Sequence, residues 1–385
     1  MNFDLTEEQQ QIRTTLAEFA EREIKPHAAR WDKEETFPRH IVAQLGELGF
    51  LGVAFPEIYG GGGADTLSQM LVVEGISRYD AGVGLACAAH MSLASGHIGL
   101  FASDDQRAHY LPGMLAARQI GAWCLTEPGS GSDAAAMSTK AVRAGDSYRI
   151  DGSKMFITNG GVAEVFVVMA LTDGSAGRAG VSAFIVERAT PGLSNGRKIE
   201  KLGLHSSDTA EVIFDGVTVP ARNLIGAAGA GYQQTLKVLE GGRIGIAGFA
   251  IGIARGAMED AVVYAKERRQ FGNAIADFQA IQWMFADMAT RIEASWVLAL
   301  RAAALKDRGQ PFAREASMAK LFASETAMWT TTKAVQIHGG YGYVKEFAAE
   351  RYMRDAKLSE IGEGTSEVQR MIIAKSILRD GYMPV

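Results

Sequence analysis

The feature that most constrains the fold is a double change of hydrophobic period along the chain. Apolar residues recur at helical spacing up to about residue 117, come in short runs from 122 to 214, and return to helical spacing from 231 onward. In the first third the pattern predicts a helix over 3–25, with Thr6 as N-cap and Ile12, Leu16, Phe19 and Ala20 on one face, ended by Pro26. Further helices are expected over 38–48 (closed by Gly49), 67–78, 85–100 and 104–117, the last interrupted by Pro112. The stretch 85–100 is nearly uncharged, and a helix apolar all round belongs inside. The runs 122–126, 139–142, 147–150, 155–158, 165–171, 181–186 and 210–214 read as short strands. They are parted by turn sequences such as Gly145-Asp146, Asp151-Gly152 and Asn159-Gly160-Gly161. That spacing suggests a sandwich or barrel rather than βαβ units. Four long amphipathic patterns, over 231–267, 278–307, 311–338 and 366–379, argue for a helix bundle. We therefore expect an α+β multidomain chain: a helical part over 1–121, a β-barrel or sandwich over 122–226 and a four-helix bundle over 227–385.

Composition narrows the function classes. Of 385 residues 47% are apolar and 22% charged, ordinary for a globular chain with a large core. The net charge of −5 leaves no basic footprint for nucleic acid or an anionic membrane. Two cysteines, Cys87 and Cys124, make neither a disulfide framework nor a metal set, which fits a reducing, cytoplasmic-type compartment. Residues 1–8 carry no signal- or transit-peptide pattern, and the apolar stretch 244–254 is too short and glycine-rich to span a bilayer, so no membrane insertion is expected. There is no HxH, HExxH, CxxC or GxSxG, hence no metal site and no hydrolase elbow.

The most informative stretch lies near the end: Gly362-Glu363-Gly364-Thr365-Ser366-Glu367, just before a helical pattern. Glycines beside a carboxylate let the backbone bend sharply and approach a ligand, and the helix start behind them offers free N–H groups to an anion. Ser366 and Gln369 have capping-box spacing. One loop thus presents a base on one side and an anion seat on the other, or it is a plain helix N-terminus with a favoured acidic residue. The loop Thr126-Glu127-Pro128-Gly129-Ser130-Gly131-Ser132-Asp133 offers donors to a polar ring edge or phosphate, or is a Gly/Ser surface loop. Thr158, at a strand end, has a hydroxyl that suits a heterocycle nitrogen, or simply closes a β-strand at a turn. Glycines at 241, 245, 248, 252 and 256 allow close approach of either a flat ligand or another helix. Arg268-Arg269-Gln270-Phe271-Gly272 and Gln336-Ile337-His338-Gly339-Gly340 end two helices, as dinucleotide contacts or as ordinary basic C-termini.

Taken in register, these motifs closely resemble the acyl-CoA dehydrogenase family, in particular its short/medium-chain, butyryl-type branch. The carriers are Cys124 to Asp133, Phe156-Ile157-Thr158-Asn159-Gly160, Gly242-Arg243-Ile244-Gly245-Ile246-Ala247, Glu267 to Gly272, Gln336 to Gly340, Arg354-Asp355-Ala356 and Gly362 to Glu367, spread over essentially the full chain. The resemblance implies a flavoprotein oxidoreductase of fatty or carboxylic acid degradation, a homotetramer with FAD, acting on an acyl-CoA and passing electrons to an electron-transferring flavoprotein. It implies that Trp123, Cys124, Leu125, Thr126, Gly131 and Ser132 line the flavin and thioester region. Phe156, Ile157 and Thr158 are expected to flank the flavin ring. Arg268, Phe271, Gln279, Gln336, Ile337, His338, Gly339 and Gly340 are expected to reach the pyrophosphate and adenosine, partly across a subunit interface. Thr365, Ser366 and Glu367 hold FAD at the helix start, while Ser132, Glu240, Gly241, Gly242, Arg243 and Gly364 face the acyl-CoA. Glu363 is then the base that removes the proton α to the thioester as a hydride leaves the β carbon. Its backbone N–H and a ribityl hydroxyl are the family's donors to the thioester carbonyl. Burial beside an acyl chain should raise its pKa. In the isovaleryl and long-chain branches the base sits on the earlier helix, at the position matching Gly242.

Three departures stand out. Phe156 replaces a common Trp, His205 replaces a common Arg, and the 85–100 helix is rich in small residues (Ala86, Ala88, Ala89, Ser92, Ala94, Ser95, Gly96). The last suggests an acyl pocket with room for a branched, cyclic or medium-length group. Two other readings of the same fold are an oxidase or monooxygenase that uses oxygen, and a flavin-binding scaffold without turnover.

Overall fold

The computed structural model describes residues 4–382; Phe3, where the first expected helix begins, lies outside them. The N-terminal helices are α1 (Glu7–Glu23), α2 (Lys25–Glu34), α3 (Arg39–Glu47), α4 (Thr66–Ser77), α5 (Ala81–Ala88), α6 (Gly96–Phe101) and α7 (Asp104–Leu115). Thr6 caps α1 as expected, its hydroxyl taking the Gln9 N–H at 3.2 Å. Pro26 does not simply end that helix. It occupies the first turn of α2, where a proline ring costs no hydrogen bond, and α2 carries the buried Trp31. The expected internal helix is real but irregular: Ala89–Ser95, between α5 and α6, is wound as π-helix. Segment 81–101 is long and apolar enough to cross a membrane by length and composition, more so than 244–254, yet it is mostly buried within the fold.

The middle of the chain forms β1 (Gly121–Cys124), β2 (Lys140–Ala144), β3 (Ser147–Thr158), β4 (Val165–Leu171), β5 (Val181–Glu187), β6 (Leu193–Lys198) and β7 (Thr209–Pro220). They make one seven-stranded sheet in the order β1-β4-β2-β3-β7-β6, with β5 also on β4. Pairing is antiparallel except for β1–β4 and the single β2–β4 contact. Asp151-Gly152 is not the turn its composition suggests, for 147–158 is one strand with two register shifts, after Ile150 and after Lys154. A bulge uses an extra residue to re-aim a side chain, and the second one turns Phe156 outward at φ 58°. β6 was not visible as a run, because its residues Leu193–Lys198 are mostly polar and exposed.

The C-terminal part holds α8 (Gly231–Glu267), the short hairpin β8 (Arg269–Gln270) and β9 (Asn273–Ala274), α9 (Gln279–Asp307), α10 (Ala313–His338), α11 (Ala349–Ser359) and α12 (Ser366–Asp380). α8 is the axis of the molecule: α4, α9, α10 and α11 all pack on it, and its residues 242–254 are buried. Its glycine stripe divides the two sequence readings between them. A Cβ at Gly248 would sit 2.7 Å from Met70, and at Gly252 and Gly256 it would strike the carbonyls of Glu74 and Arg78, so these three glycines serve close helix packing on α4. Gly242 lies at the site described next, whereas a Cβ at Gly241 would approach only the Lys306 side chain. The Arg354-Asp355-Ala356 motif lies on α11, a helix outside the four long patterns of the sequence. Arg354 pairs with Asp32 at 2.8 Å, and His205 lies 3.0 Å from the same Asp32 with its other nitrogen 2.9 Å from the Lys201 carbonyl, joining α2, the sheet and α11.

Candidate active site

The loop between α11 and α12 is built from two consecutive left-handed residues, Glu363 (φ 53°) and Gly364 (φ 92°). Glycine tolerates that region, whereas a glutamate held there is a strained conformation that its surroundings must impose. They do so by hydrogen bonds. The Gly364 carbonyl accepts from Lys320 Nζ at 2.9 Å and from Gln369 Nε2 at 2.8 Å, and the Ser366 N–H donates to the Glu360 carbonyl at 2.9 Å. The N-cap of α12 is Thr365, whose hydroxyl takes the Val368 N–H at 3.3 Å. The capping box expected from Ser366 and Gln369 does not form, because Gln369 is drawn back to the loop carbonyls. Ser366 Oγ and Gln369 Oε1 are left buried without a partner.

The Glu363 side chain reaches α8 and takes the space a side chain at residue 242 would need, with Leu93 of the π-helical turn on the other side, 3.3 Å from that same point. Its Oε2 is shielded from solvent and hydrogen-bonds to nothing. Burial pushes the carboxyl up to about 7, against the opposing pull of Lys320 and Arg243. Both cations are buried, and burial lowers the pKa of each, Lys320 to about 8. The backbone N–H of Glu363 donates to no group among the described residues. A carboxylate with a pKa near neutrality, free lone pairs and an open N–H beside it can accept a proton and polarise an adjacent carbonyl.

On the sheet side, a buried ion pair anchors the Gly/Ser loop. Glu127 Oε1 meets Lys154 Nζ at 2.8 Å while its carboxylate also accepts from Ser138 and Thr139, and Lys154 donates to the Leu125 carbonyl at 3.1 Å. Lys154 and its hydrogen-bond donors outweigh burial and hold the Glu127 carboxyl at about 2. Ser132 and Gly131 at the loop's tip are exposed. Trp123 is oriented by its ring N–H, which donates to His97 Nδ1 at 3.1 Å, while His97 Nε2 faces Gln234 Oε1 at 3.0 Å. Asn159 ties the end of β3 to α5 and β1 through the Ala86 and Gly121 carbonyls. Cys124, Ile157 and Ile337 are core side chains, so what they offer a ligand is backbone. Phe156, by contrast, is 62% exposed, and Thr158 and Thr126 are half-buried.

A third group stands apart. Tyr264, Arg268, Gln270, Ile275 and Ile337 to Tyr341 line a cleft of about 600 Å³, with Tyr264 stacked on His338 at 4.3 Å and the Arg268 guanidinium over Tyr341. Phe271 at the β8–β9 tip is 92% exposed, and Gln279 and Gln336 are exposed nearby on α9 and α10. Tyr264 lies twenty-two residues along α8 from Gly242, roughly 33 Å at the helical rise. Within one chain the structure therefore brings Glu363, Gly364, Gly242 and Arg243 together and leaves the Arg268 cleft remote.

The groups present suit a flavin dinucleotide. An exposed aromatic ring at a bulge, a capped helix start with two orphaned polar atoms, and an aromatic, arginine-edged cleft match a flat ring, a phosphate and an adenosine. Glu240, also expected at the substrate, is turned to Lys237 at 2.9 Å. Lys320 escaped the sequence reading. Its signal was a lysine standing in the apolar stripe of Ala316, Ala319, Ala323 and Ala327.

Three family models match the chain in series: Acyl-CoA dehydrogenase, N-terminal domain over residues 6–118, middle domain over 122–217 and C-terminal domain over 229–378. The short-chain specific acyl-CoA dehydrogenase of Clostridium acetobutylicum is 47% identical, covering 98% of this chain and 100% of that one. The structure of butyryl-CoA dehydrogenase from Megasphaera elsdenii superimposes with a TM-score of 0.97 at 43% identity, covering 98% of this chain and all of that one. A chain from a structure described as that of the electron transferring flavoprotein of Acidaminococcus fermentans gives 0.98 at 48% identity, over 99% of this chain and 100% of that one.

Proposed function

Since this chain belongs to the acyl-CoA dehydrogenase family, FAD-dependent oxidoreductases acting on CH–CH bonds, we propose that it converts an acyl-CoA thioester to the trans-2-enoyl-CoA with Glu363 as base. The observation that carries this reading is the Glu363 carboxylate, shielded and unpartnered beside Gly242 with its proton affinity raised to about 7. FAD, when bound, supplies the acceptor for the hydride. In this reading Trp123 to Thr126, Gly131, Ser132 and Phe156 to Thr158 would hold its ring, and Thr365 to Glu367 its phosphates.

Glu363 Oε2 takes the proton from the carbon α to the thioester carbonyl. The electron pair of that C–H bond forms the new double bond as the β carbon gives up its hydride, so two hydrogens leave and the thioester stays intact. The free Glu363 N–H binds the thioester carbonyl oxygen and stabilises the charge that grows there. Gly242 matters by having no side chain, and Leu93 with the small residues of 86–96 excludes water and shapes the acyl pocket. Glu240, Gly241, Arg243, Gly364 and Ser132 flank the thioester and CoA path. That pocket's small residues favour a branched, cyclic or medium-length acyl group.

The Arg268 cleft, roughly 33 Å from Gly242 along α8, supports FAD binding shared between subunits of a homotetramer. Arg268, Phe271, Gln279 and Gln336 to Gly340 of one subunit would then serve the adenosine end in another. The likeness to a chain from an electron transferring flavoprotein study supports such a flavoprotein as electron acceptor. Two free, buried cysteines suit a reducing, cytoplasmic compartment.

Anaerobic titration with straight, branched, cyclic and aromatic acyl-CoA thioesters, following bleaching of the oxidised flavin band, tests the reading. One thioester class should bleach the wild type and leave Glu363→Gln unchanged. Equal bleaching of both proteins would remove Glu363 as base, and preference for butyryl-CoA over every bulkier thioester would remove the enlarged pocket.

A further inference from the structure

We infer that Lys320, from α10, is the positioning residue of this site: it clamps the Glu363 loop and keeps the Glu363 carboxylate charged by a field that leaves its oxygens free. The inference rests on the reading of Glu363 as the base.

Lysine is among the residues least often fully buried, yet Lys320 is 0% exposed. Its ammonium donates to the Gly364 carbonyl at 2.9 Å, the oxygen that Gln369 Nε2 also holds at 2.8 Å. Two donors on one carbonyl fix the peptide after Gly364, and with it the left-handed pair that aims Glu363 at α8. A neutral donor would serve for that alone, as Gln369 shows. A buried charge is costly, so its presence points to a second task.

That task is electrostatic. Lys320 is the largest charge opposing the desolvation of Glu363, ahead of Arg243, but among the described residues no ion pair joins the two and Glu363 Oε2 remains unpartnered. A direct salt bridge would stabilise the carboxylate and occupy the lone pairs that must receive the substrate proton. A cation one peptide unit away favours ionisation and leaves them open. The charged groups around the pair are few. Glu363 faces Lys320 from α10 and Arg243 from α8, and the apolar Leu93 of the π-helical turn lies against the same point of α8. Lys320 also feels Glu360 at the end of α11 and Glu367 in α12, and Arg243 feels Glu240.

The test compares the pH dependence of flavin bleaching in the holoenzyme, using the acyl-CoA thioester that bleaches the wild type most completely in the panel above, for wild type, Lys320→Met, Lys320→Arg and Gln369→Leu, with melting temperatures alongside. In Lys320→Met the acidic limb should move up by about one pH unit, the size expected for removing one nearby opposite charge, so the loss is about tenfold below the limb and small above it. Lys320→Arg, which keeps a charge, should stay close to wild type. Gln369→Leu, which loosens the loop but keeps the ammonium, should lower the rate evenly without moving the limb. If Lys320→Met does not accumulate with flavin, Lys320→Gln, which keeps a donor and drops only the charge, is read the same way. An unmoved limb in the uncharged variant, with the rate reduced equally at every pH, overturns the inference and leaves Lys320 a structural clamp. Glu363→Gln separates the two claims: if it bleaches with the wild-type limb, the base assignment has failed instead.

Discussion

The carboxylate of Glu363 and the missing side chain of Gly242 occupy the same space: a Cβ on residue 242 would collide with Glu363 Oε2. One residue carries the carboxylate and the other provides the vacancy it points into. Gly242→Ala should therefore displace Glu363 rather than unfold α8, since alanine is the better helix former. The expected outcome is a loss of about a hundredfold in the reductive rate with an unchanged or slightly higher melting temperature. Stopped-flow bleaching and calorimetry check it, and full activity would show that the loop moves freely.

Phe156 stands out of the sheet at φ 58° and 62% exposed, so the apoprotein gains little from its ring. Phe156→Ala should leave apoprotein stability within about 0.5 kcal/mol of wild type, as for surface positions generally, while weakening FAD binding by about tenfold through lost stacking. Denaturant melts of apoprotein and flavin-release titrations of holoprotein separate the two effects.

The Glu127–Lys154 pair is buried and tied into a loop by three further hydrogen bonds. Lys154→Met would strand a carboxylate in the interior and cost about 3–5 kcal/mol. The double change Glu127→Gln with Lys154→Met should recover part of that loss. In the wild type Glu127 titrates at about 2 when folded against 4.5 ordinarily, a depressed carboxylate. Its stabilisation is therefore present above pH 4.5 and lost as pH falls toward 2. Urea melts across that range, compared with the double variant, would show the difference in slope.

His90 and His97 are both buried and neutral. His90 Nδ1 accepts the Gly121 N–H at 2.9 Å, and burial holds each ring at about 4 against the usual 6.5. For a histidine held below its unfolded value, stability is complete above pH 6.5 and erodes as pH falls toward 4, by roughly 1.4 kcal/mol per pH unit for each ring. His97→Gln should flatten that slope, and it should also shift the fluorescence of Trp123, whose ring N–H His97 accepts.

Much of the site could be read from local chemistry. The pairing of Glu363 with flanking glycines, the Thr365–Ser366 helix start and the α8 glycines are each short-range patterns, and sequence alone is enough to place them on a loop, a cap and a helix. The same holds for the succession of helical, strand and helical periods, because period depends only on which residues neighbour one another. α2 and β6 are not legible that way: a proline that follows the end of α1 also opens α2, and β6 is made of polar residues on an exposed edge.

What tertiary structure alone decided is which distant groups share one space. Lys320 and Glu363 stand forty-three residues apart, Glu127 and Lys154 twenty-seven, and no local pattern carries such a pairing. It arises where α10 meets the α11–α12 loop and where β3 meets the end of β1. The candidate base was therefore legible in the sequence. Its charge state was not, because the field at a buried carboxylate is a sum over every neighbour that packing brings near.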